Sequence, residues 1–198
     1  DLYPTTQSDF SSYLARIKQS GAGLIIFIFS GPPGIAFVKQ WADYDWSPGK
    51  KPLMFGPGLL GGFSWFWDQT GGAAQGTIWW PATTKIPVTS LTVPFIEKFT
   101  QRYRETPNIL AFHTYDAIYV LKQALERANT WKADRLVPAM ERTNYDGVIG
   151  NIEFTKTLHG LNLAKHNLYW YIGQWQRGEF VPVWSADKPD RLRNLIPP

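Results

Sequence analysis

Ser30-Gly31-Pro32-Pro33-Gly34 places a hydroxyl, a glycine amide and a tight turn directly after six apolar residues, Leu24 to Phe29. A strand followed by a glycine-bearing turn is where a phosphate loop would sit. Here the G-x-x-x-x-G-K-S/T pattern is absent, and prolines stand where N–H donors are needed. A nucleotide site is not expected. The residues alone leave two readings open, a plain turn or the lip of a binding site. Gly56-Pro57-Gly58-Leu59-Leu60 repeats the theme after a second apolar run, and Trp79-Trp80 closes a third. The titratable residues suggest no reaction. His113, His159 and His166 lack metal-ligand spacing, Asp43 and Asp45 flank Tyr44, and Glu97, Glu105 and Glu126 have the spacing of solvated helix faces. No nucleophile–base pair or carboxylate dyad is present, so neither catalysis, nor a metal, nor a cofactor is expected.

The elements that must position these loops alternate. Ser8-Asp9 precedes FSSYLARIK, whose Phe10, Tyr13, Leu14 and Ile17 share a helical face, which reads as a capped amphipathic helix. LIIFIF follows as a strand. A helix from Ile35 to Tyr44 comes next, with Ile35, Val38 and Trp41 or Ala42 inward, then a strand over Pro52 to Phe55. A helix through Trp67 and a strand, GTIWW, complete the series. Short, uniformly apolar strands between helices predict a parallel sheet covered on both faces, with right-handed crossovers and a ligand crevice outside the strands' carboxyl ends. LIIFIF is expected to be a central strand. After Pro87 the alternation stops. VPFIEKFTQRYRE, a long helix from about Asn108 with Ile118, Leu121 and Leu125 inward, and Ala133 to Arg142 are three successive helices. A turn and strand, NYDGVIGNIEFT, and a hairpin about Gln176-Arg177-Gly178 follow.

Composition narrows the function. The chain has 198 residues, enough for one large domain or two small lobes, with 18% charged and 16% aromatic residues including ten Trp. Such a chain has ample apolar surface to offset its ordering entropy. The net charge of +4 is scattered, and Lys39, Lys50, Lys51, Arg102 and Arg104 lie in separate segments. Nucleic-acid binding needs a basic stripe with readout residues and is not expected. No cysteine occurs, which excludes disulfides, thiolate nucleophiles and Cys-based zinc sites and is compatible with a periplasmic or cell-surface location. No apolar stretch reaches the roughly 18 residues of a membrane span.

Several phrases, taken in order, carry a family resemblance. They are DFSSYLARIK (Asp9–Lys18), FVKQW (Phe37–Trp41), MFGPG (Met54–Gly58) and PFIEKFTQRY (Pro94–Tyr103). HTYDAIYVLKQAL (His113–Leu125), GVIGNIEF (Gly147–Phe154) and YIGQWQRGEFVPV (Tyr171–Val183) continue the series. The chain resembles the C-terminal half of a type I periplasmic solute-binding protein, in the branch of leucine/isoleucine/valine-binding-like receptors of ABC transporters.

The resemblance implies an α/β fold of two lobes that trap a small organic solute in the cleft between them. It implies that residues 1–90 and 165–198 form most of the C-terminal lobe and that 91–164 return to the N-terminal lobe. The preceding half, with its strands and leader, would lie outside this chain, and about 92–164 would then expose an apolar patch. The expected partners are the solute, an ABC permease met transiently, and the missing N-terminal half. The expected site comprises Ser30, Gly31, Pro32, Gly58, Leu59, Trp79 and Trp80, with Phe112 and His113 from the other lobe. Tyr115 and Asp116 are expected to pack structurally. In amino-acid-binding relatives the second loop carries an acid that pairs with the ligand's ammonium group, but Gly58 matches that position here. An unpaired desolvated ammonium is costly, so an aromatic or branched carboxylate is favoured, with Phe55, Leu59, Phe63 and Trp65 as flanking surface. A ligand-sensing domain of a regulatory protein is the nearest alternative. A Trp-rich carbohydrate-binding module is a more distant one.

Overall fold

The computed structural model describes residues 2–29, 31–57, 60–80, 87–155, 160–162, 171–185 and 194–198. The chain divides into two compact units, Asp1–Thr84 with Trp170–Pro198, and Lys85–Tyr169.

In the first unit, α1 (Ser11–Ser20) leads to β1 (Leu24–Ile26), α2 (Pro32–Asp43) to β2 (Leu53–Pro57), and α3 (Trp65–Thr70) to β3 (Ile78–Trp80). A hairpin of β6 (Tyr171–Gln176) and β7 (Glu179–Ser185) completes a five-stranded sheet in the order β1-β2-β3-β6-β7. The first three strands are parallel, and β6 and β7 are antiparallel additions. The mixed α/β class is as the alternation predicts. The start of α1 is fixed by Asp9, whose carboxylate accepts from the Ser11 N–H at 2.9 Å, one residue outside the helix's Phe10 cap position. Arg177 and Gly178, both at positive φ, make the two-residue turn of the hairpin.

β1 departs from expectation in two ways. Among the described residues it pairs on one side only, with β2, and it is not buried on both faces. Side chains alternate along a strand, so Ile25, Phe27 and Phe29 point into a ring cluster with Phe10 and Phe37, while Ile26 and Ile28 remain 65% and 74% exposed. The register extends this asymmetry across the sheet. Ile25, Met54 and Trp79 share the buried face with residues of all three helices. Leu24, Ile26, Leu53, Phe55, Ile78 and Trp80 lie on the other face and are exposed or half-buried. Among the described residues, the helices cover one face only.

Trp79 is one of three buried tryptophans in this core among the described residues. Its ring packs edge-on against Phe27 and Phe66, with centroids 5.1 and 4.8 Å away, and its Nε1 donates to Thr77 Oγ1 at 2.9 Å. Two glycines make room for it. A Cβ on Gly56 would stand 2.5 Å from the indole, and one on Gly61 would stand 1.7 Å from it. Gln174, fully buried on β6, has every polar atom satisfied. Its amide donates to the carbonyls of Gly76 (2.9 Å) and Ile196 (2.8 Å), and its oxygen accepts from the Ile196 N–H and Gln176 Nε2. This fixes the tail at Ile196 onto the sheet.

The second unit contains α4 (Thr92–Tyr103), α5 (Ile109–Ala128), α6 (Ala133–Glu141) and an antiparallel hairpin of β4 (Asn144–Asp146) and β5 (Asn151–Glu153). The inward stripe of α5 is Phe112, Asp116, Val120, Ala124 and Ala128, at successive i+4 positions. Ile118, expected inward, is 59% exposed because it lies off that stripe, and Leu121 and Leu125 are half-buried. Leu110, Tyr115 and Tyr119 are also exposed on this helix.

Gly61→Ala is expected to destabilise the chain by about 1–3 kcal/mol, the usual cost of overpacking a filled core. Gly23→Ala, whose Cβ would meet nothing within 4 Å, should stay within about 0.5 kcal/mol of the parent. Urea unfolding of the two variants checks the difference, and equal midpoints would contradict the clamp on Trp79.

Candidate functional site

Because β1, β2 and β3 run parallel, their carboxyl ends lie along one edge of the sheet, and the loops that leave them form a rim. Gly31, at φ 74° and ψ −155°, is the N-cap of α2. That backbone conformation suits glycine. Pro32 and Pro33 are the first helical residues, so the Ser-Gly-Pro-Pro-Gly turn is in part the first turn of a helix. Fixed proline φ favours such positions. Pro32 is exposed and Pro33 buried. The two prolines have no N–H, and the Gly34 N–H donates to the Gly31 carbonyl at 3.1 Å. This helix start therefore has few amides to offer an anion, which fits the absence of a phosphate loop. Ser30, Gly58 and Leu59, three of the expected site residues, lie outside the described residues.

The β2 loop is held from two sides. After Pro57 the chain enters a 3-10 turn at Leu60–Gly62. Gly61 sits against the Trp79 ring, and its carbonyl accepts from Trp175 Nε1 at 2.7 Å. Trp175, on β6, is a positioning residue that the sequence reading missed. Its buried indole had no motif to mark it, and only the closure of β6 on β3 brings it beside residue 61. Just beyond, Phe63 and Trp65 stack with centroids 5.2 Å apart and planes inclined by 17°. Phe63 is half-buried and Trp65 is 42% exposed. At the end of β3, Trp80 is half-buried on the sheet face opposite Trp79.

Two expected site residues are corrected. Trp79 is 1% exposed and fills the core, so it shapes the rim from below and offers no wall to a solute. Phe112 is 4% exposed and packs against Phe95 at 4.9 Å in the core of the second unit. Its place on the inward stripe of α5 leaves it no open face. His113, the next residue, is exposed. The amides at the start of α5 are also less available than expected, since Asn108 Oδ1 accepts from the Ala111 N–H at 3.1 Å. The structure thus brings Gly31, Pro32 and Trp80 to one rim of the first unit, while His113 belongs to the second.

Asp116 is a structural clamp. Its buried carboxylate accepts from the N–H groups of Val148 (2.9 Å) and Ile149 (3.2 Å) in the β4–β5 turn. The Thr89 and Thr92 hydroxyls donate to the Gly147 and Val148 carbonyls at 2.9 and 2.7 Å. A Cβ on Gly147 would fall 2.3 Å from the Asp116 carboxylate. Nearby, the Tyr115 and Tyr119 hydroxyls are 3.5 Å apart, and Tyr119 stacks parallel to Tyr145. The hydrogen bond to Tyr119, then burial, pushes the Tyr115 phenol up to about 12 from its ordinary value of 10. Burial, then the Asp116 charge, raises Tyr145 as well.

Among the described residues no three His, Cys, Asp or Glu side chains are grouped to hold a metal ion. His159 and His166 lie outside them. No described helix is long and apolar enough to cross a membrane.

Parallel strands with their loops gathered at the carboxyl ends are where an α/β sheet places a ligand crevice. The family model described as periplasmic binding protein matches residues 1–179. The chain belongs to the periplasmic binding protein family, a family of solute-binding proteins and not of enzymes. Solved structures share the fold. A leucine-binding protein from Thermotoga maritima matches with a TM-score of 0.77 and 17% identity over 92% of this chain and 50% of that one. An ABC-transporter solute-binding protein from R. palustris, solved with benzoate, gives 0.69 and 19% over 91% and 48%. A branched-chain amino acid transporter substrate-binding protein from Streptococcus pneumoniae, solved with isoleucine, gives 0.72 and 16% over 91% and 50%. The chain spans about half the length of these proteins. No curated protein matches it in sequence.

Replacing Tyr119 with Phe should lower the Tyr115 titration from about 12 toward 10, read by NMR of ring-labelled tyrosine. The folded chain holds this proton more tightly than the unfolded chain. The associated stability is therefore full below pH 10 and lost as the pH rises through about 12. An unchanged Tyr115 titration in the variant would contradict the hydrogen-bonded pair.

Proposed function

We propose that this chain is part of a periplasmic or cell-surface receptor that captures a small organic carboxylate and delivers it to an ABC permease. The observation that carries the receptor reading is the family match across residues 1–179.

The solute class is inferred from the chemistry of the rim. From Phe55 to Trp67 the sequence contains no Asp or Glu, and none occurs from Leu24 to Gly34. The β2 loop presents the Phe63–Trp65 stack instead, with an exposed indole. A desolvated ammonium placed there would lack a counter-charge. An aromatic or branched apolar body suits an exposed aromatic shelf. Gly31 keeps an N–H beside the positive end of α2, a helix of 12 residues whose two prolines remove the next donors, and a single amide suits one carboxylate oxygen. Proteins of this fold have been solved with benzoate and with isoleucine. The uncharged rim favours a ligand of the benzoate kind, or a branched carboxylate without an amino group.

A thermal-shift screen of the full-length protein against aromatic carboxylates, branched carboxylates and α-amino acids tests this. Aromatic or branched carboxylates are expected to raise the Tm. A rise confined to α-amino acids would overturn the proposed solute class, and silence across all classes of small solute would overturn the receptor reading. Trp65→Ala should weaken binding of the stabilising aromatic carboxylate by roughly 2- to 10-fold, the worth of one aromatic stack. Calorimetric titration reads that change, and unaltered affinity would remove the shelf from the site.

A further inference from the structure

The Phe63–Trp65 stack sits on a segment that does little to hold itself. α3, which begins at Trp65, has six residues and no side-chain cap at Ser64. A helix that short is not stable on its own. Just ahead of it, the Phe66 N–H donates to the Phe63 carbonyl at 3.0 Å. Phe66 turns into the core and meets the Trp79 ring. The exposed Trp65 indole is therefore oriented by what holds the residues on either side of it.

Both sides lead to Trp175. Ahead of the stack, the Gly61 carbonyl accepts from the buried Trp175 Nε1–H at 2.7 Å. Behind it, the Trp67 ring lies against the Trp175 ring, with centroids 5.7 Å apart and planes inclined by 31°. Trp67 also runs beside the β6–β7 turn, where a Cβ on Gly178 would stand 3.5 Å from its Nε1. Trp175 itself has no freedom to follow a moving loop. Its N–H donates to the Thr77 carbonyl at 3.0 Å, and its carbonyl accepts from the Gly76 N–H at 2.8 Å. Its ring packs against Phe180 at 5.3 Å and is buried. One fixed indole thus touches the first and last residues of Gly61–Trp67, with the aromatic shelf between them.

The two contacts differ in chemistry. Any ring of the same shape keeps the packing against Trp67, but only the N–H satisfies Gly61. Without that donor the buried carbonyl is left unpaired, which costs more than the bond itself and drives the turn toward water.

We propose that Trp175 is a positioning residue for solute capture: its Nε1–H and its ring hold the two ends of Gly61–Trp67, so that Trp65 meets the flat face of an aromatic carboxylate. The inference rests on the rim reading given under the proposed function and deepens it. Selectivity for flat solutes is then set in part outside the rim, on the hairpin that closes the sheet.

Replacing Trp175 in the full-length protein with 3-benzothienylalanine, which has the shape of tryptophan and sulfur in place of the N–H, tests this. Hydrogen exchange of the ligand-free protein gives the first reading. The amides of Phe66 to Thr70 should exchange at least about tenfold faster than in the parent, while the Phe27 amide on the sheet is unchanged. Calorimetric titration gives the second. Affinity for benzoate should fall roughly 2- to 10-fold, the effect of one hydrogen bond, and affinity for 4-methylpentanoate by less. Unchanged exchange at Phe66 to Thr70 would overturn the proposal. Faster exchange across the whole sheet would do the same, by making Trp175 a core residue only. Equal losses for the two solutes would overturn the link to flat solutes. A parent protein that binds neither solute would instead count against the solute class, and the exchange reading would still decide the role of Trp175.

Discussion

The rim of the first unit depends on one fit, the Trp79 indole filling the space that Gly56 and Gly61 leave empty. β2 and β3 are neighbours in register at Gly56 and Trp79, so the ring is bound to lie under that strand's last residues. Gly61, five residues further on, comes down onto the same ring, and the Trp175 indole holds its carbonyl at 2.7 Å. Two tryptophans thus hold the 3-10 turn at Leu60–Gly62 in place. Truncating a buried tryptophan to alanine costs about 3–5 kcal/mol, a large part of the roughly 5–15 kcal/mol by which a domain is stable. The loop's position is therefore tied to the integrity of the core.

The second unit uses a polar version of the same strategy. The β4–β5 turn is held through its N–H groups by the Asp116 carboxylate and through its carbonyls by Thr89 and Thr92. Removing Asp116 would leave buried donors without a partner, which is costlier than losing the bonds themselves. Asp116 sits on the inward stripe of α5, and Thr92 opens α4. One short turn therefore ties both helices together.

Much of this was legible in the residues. Alternating helices and short apolar strands gave the parallel series, and Gln176-Arg177-Gly178 gave the hairpin, because both signals are local. What escaped was whatever depends on which neighbours surround an element. Leu24 to Phe29 is apolar throughout, and composition alone cannot reveal that its outer edge and one face stay open among these residues. Trp79 and Trp80 are chemically identical and adjacent, yet the strand's two-residue period sends one into the core and leaves the other half-exposed. Phe112 and His113 are separated in the same way by the helical period. Trp175 is 114 residues from Gly61 in sequence, and no local pattern links them.

The rim is proposed to take a carboxylate and, with no Asp or Glu from Phe55 to Trp67, to leave an ammonium group without a counter-charge. The most direct test is a pair of calorimetric titrations of the full-length protein with leucine and with 4-methylpentanoate, which differ only by the amino group. The carboxylate without the amino group is expected to bind at least as tightly as leucine. Clearly tighter binding of leucine would show that an acid elsewhere in the protein pairs with the ammonium, and would contradict it.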